Sequence, residues 1–142
     1  MPNNTLIIGF DFGTTNIGIA VCQITLGEAR PLRPIKASDG VPNWDELERI
    51  ISEWQPSLAI VGLPLNMDGS ESEMCTRARK FARRLDGRFG LKSEMMDERL
   101  SSFEAKGTVM QRGGSRDYKH NPVDSIAAKY ILESWLAKQN GD

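Results

Sequence analysis

The sequence predicts an α/β domain, a mixed sheet covered by helices. Three observations predict it. The N-terminal part holds apolar runs at hairpin spacing, the rest alternates helical periodicity with short continuous apolar runs, and proline and glycine fall between the elements. A chain of 142 residues, 39% hydrophobic and 26% charged, is one domain's worth of sequence. It can bury roughly two thirds of the surface its unfolded form exposes. We therefore read residues 1–142 as a single domain without repeats, linker or low-complexity segment.

The elements follow in order. Leu6-Ile7-Ile8-Gly9-Phe10-Asp11-Phe12 is an apolar strand bounded by Gly13-Thr14-Thr15-Asn16, and Ile17–Gln23 is its hairpin partner. Pro31 and Pro34 restrict Leu32–Ala37 to an edge strand, because proline removes ladder donors. Asn43 with Glu46 forms a capping box, and Trp44, Leu47, Ile50, Ile51 and Trp54 then recur at helical spacing until Gln55-Pro56. Leu58–Gly62 has the unbroken apolar character of a buried parallel strand. Beyond the loop Leu63–Gly69, Ser70 with Glu73 reads as a second capping box, and Met74, Ala78, Phe81, Ala82 and Leu85 line one helix face. Leu91–Met96 reads as a strand ending at Asp97-Glu98, and Ser101 with Glu104 opens a third helix that fades before Gln111. Residues 111–121 lack periodicity, carry Gly113-Gly114 and read as a mobile loop. Asn121 and Pro122 start the last helix, with Val123, Ala127, Tyr130, Ile131 and Ser134 on one stripe.

Composition removes several function classes. No run approaches the ~18 apolar residues of a membrane span, so no membrane partner is expected. The first residues lack a basic signal region, which predicts a cytoplasmic protein. Cys22 and Cys75 have no metal-ligand spacing and form no disulfide framework; both read as small buried hydrophobes. The net charge of −1 hides an asymmetry. Residues 1–76 hold 4 Lys/Arg against 10 Asp/Glu, and residues 77–142 hold 14 against 9. Only the second part can supply the basic face that a polyanion requires.

Three acids are expected to meet. Asp11 ends the first strand and Glu98 lies just past the last. Strands joined through helices run parallel, so their C-terminal ends share the sheet edge where such folds bind ligands. The Leu63–Gly69 loop leaves at that edge, and a final helix running back antiparallel begins there with Asp124. Taken singly, each acid has a plainer role: Asp11 before a turn, Asp124 against a helix dipole, and Asp97-Glu98-Arg99 as a solvated strand end. Strand alternation directs only one of Asp97 and Glu98 into the cleft. Gathered carboxylates that stay charged normally hold a cation, and an oxygen-only set suits Mg²⁺ or Mn²⁺. Two such ions activate a water and stabilise the leaving oxygen in phosphodiester cleavage. With one histidine and no plausible cysteine nucleophile, metal-assisted hydrolysis is the chemistry this set best supports.

Four blocks carry a family resemblance. They are Asp11-Phe12-Gly13-Thr14 with Ile17-Gly18-Ile19-Ala20, then Val61–Gly69, Asp97–Ser101 and Val123–Ala128. Together, in order and spacing, they resemble the YqgF (RuvX) family of bacterial RNase H-like proteins. These are described as Holliday junction resolvases and as nucleases of pre-16S rRNA maturation. The resemblance implies an RNase H-like mixed sheet of five strands, three antiparallel and then two parallel, flanked by helices. It also implies catalytic and metal-holding acids at Asp11, Glu98 and Asp124, with Asn66 and Asp68 in a signature loop. Many members carry a basic residue after Asp-x-Gly-Thr or before Ile-Gly; here Thr15 and Asn16 stand in those places.

On the substrate side, Arg77, Lys80 and Arg84 share a helix flank, and Arg112, Arg116, Lys119 and His120 sit in the 111–121 loop. With Arg99, they are the nucleic-acid-binding candidates, and Tyr118 can stack on a base. A solvated helix face is the plainer account of the first three. The reading that results is a Mg²⁺- or Mn²⁺-dependent endonuclease of pre-16S rRNA 5′ ends, with branched DNA such as Holliday junctions as a further substrate, a monomer or a homodimer. One alternative is a non-catalytic nucleic-acid-binding module in ribosome biogenesis. Another starts from Asp11–Asn16, which also looks like the first phosphate loop of the actin, heat-shock chaperone and sugar-kinase ATPases. Those close two domains around ATP, and this chain has length for one.

Overall fold

The computed structural model describes residues 5–97 and 123–139, with the side chains of the second stretch from residue 125 onward. Strands β1 (Leu6–Asp11), β2 (Asn16–Gln23), β3 (Arg30–Pro31), β4 (Ile35–Ser38) and β5 (Val41–Pro42) precede helix α1 (Trp44–Trp54). Then come β6 (Leu58–Leu63), α2 (Glu73–Phe89), β7 (Ser93–Asp97) and α3 (Val123–Gln139). The order across the sheet is β5-β4-β2-β1-β6-β7, with β3 also paired to β2. β1 is antiparallel to β2 and parallel to β6, which is parallel to β7. The expected α/β mixed sheet is therefore present, and β1, β6 and β7 finish on one edge.

The strand count differs from five among the described residues. The third antiparallel strand is broken into the short pieces β3, β4 and β5, because Pro31 and Pro34 interrupt the ladder and a two-residue turn folds the chain back. In that turn Asp39 (φ 49°) and Gly40 (φ 84°) both adopt the left-handed conformation that favours Asp-Gly in tight hairpins. β4 and β5 pair across it through Ala37–Pro42 and Ser38–Val41.

Alternation along the strands divides the core in two. Ile8, Phe10, Phe12, Ile17, Ile19, Val21, Ala59 and Val61 pack with Leu47 of α1 and Phe81 and Leu85 of α2. Ile7, Ala20, Cys22, Ile60 and Met96 pack with Ala128, Ile131, Leu132 and Trp135 of α3. Both cysteines are free and buried, as expected. Asn43 caps α1 by accepting from the Asp45 and Glu46 amides at 3.0 and 3.2 Å. The second capping box is corrected: α2 starts after Ser72, and Ser70 is held instead by Asp68, whose carboxylate accepts from its amide and hydroxyl at 2.9 and 2.6 Å. Asp68 competes for Ser70 as short acidic side chains do in turns. The buried face of α3 includes Ala127 and Ile131, as expected, but it is centred further round, through Ala128, Leu132, Trp135 and Leu136, while Tyr130 and Ser134 are half-buried. The third helix and the 111–121 loop lie outside the described residues. Among those described, no helix is long and apolar enough to cross a membrane.

The turn after Asp11 is tight for a steric reason. A Cβ on Gly13 would stand 2.5 Å from the Asn16 carbonyl oxygen, a backbone atom that cannot step aside. Gly13→Ala is expected to cost about 1–2 kcal/mol by forcing this turn open. Thermal denaturation followed by circular dichroism checks it, and an unchanged midpoint would show that the turn absorbs a methyl group.

Candidate functional site

The C-terminal ends of β1, β6 and β7 carry Asp11, Leu63 and Asp97. Register fixes which way each acid stands. Gly9 pairs with Ile60 and Ile60 with Glu94, so the odd positions of β1 share the α3 side of the sheet with the even positions of β6 and β7. The Trp135 indole donates to Glu94 at 3.1 Å on that side. Asp11 belongs to the α3 side. Asp97 falls on the opposite one, with Met95, which packs into the α1/α2 core.

Asp11 is half-buried, and glycine flanks it on both neighbouring strands. It pairs with Gly18 on β2, and on β6 Gly62 follows Val61, the partner of Phe10. Neither neighbour sets a side chain beside the carboxylate on the α3 side. A half-buried carboxylate flanked by glycine on both strands is an oxygen donor of the kind a hard divalent cation takes.

α3 runs antiparallel to β1. Its Ser125 hydroxyl donates to the Leu32 carbonyl near the Asp11 end, and its Glu133 carboxylate accepts from the Ala29 amide further down at 3.0 Å. The Leu32 amide donates to Ile19, the partner of Phe10, which fixes the Ser125 level near the end of β1. Helix and strand touch closely at Gly9, where a Cβ would stand 2.6 Å from Leu132 Cγ and 3.2 Å from the Ala128 carbonyl. Position 124, one turn before Ala128, thus lies at the edge where β1 ends. Of the three predicted acids, Asp11 is described in full and Asp124 by its backbone; Glu98 lies outside the described residues. Among the described residues, no three His, Cys, Asp or Glu side chains group as a metal site would.

The loop leaving β6 is built on its own hydrogen bonds. The Asn66 side-chain amide donates to the Ser70 hydroxyl at 3.0 Å, and the Asn66 and Gly69 backbones close the turn. Asn66 and Asp68 are thereby placed beside the same edge, with Met67 87% exposed at the tip.

The basic flank of α2 borders a cleft of about 330 Å³ lined by Phe12, Gly40, Val41, Trp44 and Phe81 together with Asp39, Arg77, Lys80 and Arg84. The structure thus brings Arg77, Lys80 and Arg84 together. They do not play one part. Arg77 donates to the Asp39 carboxylate at 2.8 Å and to its carbonyl at 3.2 Å, and lies 3.6 Å from Glu73. The Asp39 carboxylate holds the Arg77 guanidinium protonated above its ordinary range. Lys80 and Arg84 are exposed and, among the described residues, have no ionic partner. Arg79 is bound to Glu71 at 2.6 Å, which pulls the Glu71 carboxyl below its usual range. Arg88 covers the Trp44 ring at 4.2 Å.

Sequence reasoning missed Asp39. Its Asp-Gly pair is a strong hairpin signal, but its partner is 38 residues away. The turn is also tied to the Asp11 loop: the Gly40 amide donates to Thr14 at 2.9 Å and the Ala37 amide to Thr15 at 2.8 Å. Thr15 and Asn16 thus serve the β1–β2 turn through backbone and local side-chain bonds. Arg99, Arg112, Arg116, Lys119 and His120 lie outside the described residues.

Known proteins are similar to this chain in sequence and in fold. A relative from Marinobacter nauticus named "Putative pre-16S rRNA nuclease" is 52% identical over 140 residues, covering 99% of this chain and 98% of its own. One of the same name from Pseudomonas fluorescens is 57% identical over 132 residues, 92% and 91% of the two chains. Among solved structures, the fowlpox virus resolvase with Holliday junction DNA has a TM-score of 0.58 at 15% identity, over 96% of this chain and all of the other. RuvC of T. thermophilus with a Holliday junction substrate has 0.53 at 16%, over 96% of both. Those two likenesses establish the RuvC-like, RNase H-type fold. The family model described as "RuvX: Holliday junction resolvase" matches residues 5–138, and the chain belongs to that family.

Proposed function

We propose that the protein is a metal-dependent endonuclease that hydrolyses phosphodiester bonds in 5′-end maturation of pre-16S rRNA, with branched DNA such as Holliday junctions as a further substrate. One observation carries the reading: half-buried Asp11 stands between Gly18 and Gly62 at the edge where the parallel strands end, and α3 begins at that edge. The names of the relatives support a nuclease. The carboxylates of Asp11, Glu98 and Asp124 would hold Mg²⁺ or Mn²⁺. When bound, the metal supplies an activated water and charge stabilisation at the leaving oxygen. The rest is the work of the chain: Asp11 contributes fixed negative charge, Arg77 braces the Asp39 turn, and Lys80 and Arg84 attract the substrate backbone. Arg99, Arg112, Arg116, Lys119 and His120 add basic charge for the same partner. We place the protein in the cytoplasm, as a monomer or a homodimer.

Asp97 is the weaker choice for the third acid, because register sets it on the side away from Asp11, and we assign the role to Glu98. The test is cleavage of precursor rRNA and of four-way junctions with Mg²⁺ and with EDTA. Metal-dependent products are expected. Steeply salt-dependent binding without any product would instead make the protein a nucleic-acid-binding module.

A further inference from the structure

Arg77 is a member of the α2 basic flank that is already engaged. One terminal nitrogen, Nη1, donates to both the carboxylate and the carbonyl of Asp39, at 2.8 and 3.2 Å, and the other lies 3.6 Å from Glu73. A guanidinium held by two carboxylates and a carbonyl has little left for a phosphate. The Asp39 side chain is exposed, and ion pairs of that kind add little to stability. What the pair does fix is geometry.

The Asp39-Gly40 turn is the far end of a short chain of contacts that starts at Asp11. The Gly40 amide donates to the Thr14 carbonyl at 2.9 Å, and the Ala37 amide to the Thr15 carbonyl at 2.8 Å. Thr14 and Thr15 lie in the connection that leaves Asp11. Gly13 gives that connection no slack, because a Cβ there would stand 2.5 Å from the Asn16 carbonyl oxygen. Phe12, next to Asp11 in the chain, is buried, and its ring lies 5.4 Å from that of Phe81 on α2. The Asp11 connection is thus tied to α2 twice, by a buried ring and by the turn that Arg77 clasps. α2 itself follows residues 64–72, which leave β6 at the Asp11 edge. Arg77 therefore joins the two connections that leave the neighbouring parallel strands β1 and β6.

We propose that Arg77 and Asp39 are a positioning pair for the reaction, whose clasp keeps the connection after Asp11 fixed against α2 and so holds the Asp11 carboxylate in place. In this role both residues act through the Asp11 connection and not on the substrate. The proposal rests on the nuclease reading and deepens it, by taking Arg77 out of the phosphate contacts and giving it a part in the rate.

Three variants test it. Arg77→Met keeps the aliphatic stem and leaves the turn sequence intact, Asp39→Gly removes the carboxylate at a left-handed position that glycine suits, and the third combines the two. With Mg²⁺, each single variant should slow single-turnover cleavage of precursor rRNA about three- to tenfold. The combined variant should be no slower than the worse of the two, since they remove one interaction; multiplied losses overturn the pair. Asp39→Asn, which keeps an acceptor oxygen in the same place, should recover most of the rate. Affinity for the RNA in EDTA, read by fluorescence anisotropy, should stay close to that of the wild type throughout. If Arg77 is instead a phosphate contact, Arg77→Met weakens binding, while Asp39→Gly frees the guanidinium, binds more tightly and cuts at the wild-type rate; that result overturns the proposal. So does a lower melting temperature with an unchanged rate for the folded protein, which would make the clasp a turn anchor alone. Amide hydrogen exchange gives a readout free of catalysis. The Gly40 and Ala37 amides should exchange about tenfold faster in Arg77→Met, and unchanged protection overturns the clasp whether or not the protein cuts. Faster exchange in the variant, with no Mg²⁺-dependent cleavage by the wild type, removes the nuclease reading and leaves the clasp standing.

Discussion

Asp11→Asn is expected to lower phosphodiester cleavage by about 10²–10³-fold while leaving the melting temperature close to that of the wild type. The substitution keeps shape and volume and removes one negative charge, so packing beside Gly18 is retained. What is lost is charge where a divalent cation would sit, and that contribution to transition-state stabilisation runs to several kcal/mol, each 1.36 kcal/mol being about tenfold. Asp97→Asn is the matched control. Register sets Asp97 on the α1/α2 side of β7 and Asp11 on the α3 side, so Asp97→Asn should keep most of the activity. Single-turnover cleavage of precursor rRNA by both variants, with melting curves beside it, decides the matter. Equal losses in the two variants would mean that alternation does not sort the acids, and the assignment of roles at this edge would fall.

The order of strands and helices is legible because it rests on local signals. Asn43 caps α1, the stripe of Ala78, Phe81 and Leu85 buries α2, and the unbroken run Leu58–Leu63 forms a strand covered on both faces. The shared edge is legible too, since parallel strands joined by helices must end together. What is not legible comes from competition and distance. Ser70 has the spacing of an N-cap, yet Asp68 is nearer and takes it. The proline-rich segment has one apolar pattern, but the Asp39-Gly40 turn folds its end into a separate hairpin whose anchor, Arg77, belongs to another element. Gly9 looks like any strand glycine until α3 is set against it. The side of the sheet taken by Asp97 needs the β6–β7 register, which no local pattern encodes.

Gly9→Ala is the second large effect expected, and it acts on the same edge from within the core. The new methyl would stand 2.6 Å from Leu132 Cγ, 3.0 Å from Leu132 Cδ2 and 3.2 Å from the Ala128 carbonyl. Leu132 is fully buried, so the contact cannot be relieved by turning a side chain into solvent. α3 must move away from β1, at a cost of about 3 kcal/mol. For a domain of this length that is a fall in melting temperature of roughly 10 °C. Position 124 travels with the helix, so cleavage should fall by more than the loss of folded protein explains. The double variant Gly9→Ala/Leu132→Ala separates the causes. Leu132→Ala alone leaves a cavity and costs about 2–5 kcal/mol. In the pair, the added methyl enters space that the leucine vacated, so the combined loss should be smaller than the sum of the two by at least about 1 kcal/mol. Urea denaturation of the four proteins reads this coupling. Strict additivity would show that Gly9 and Leu132 do not meet, and that the close approach of α3 to β1 is not what brings the start of the helix to the Asp11 edge.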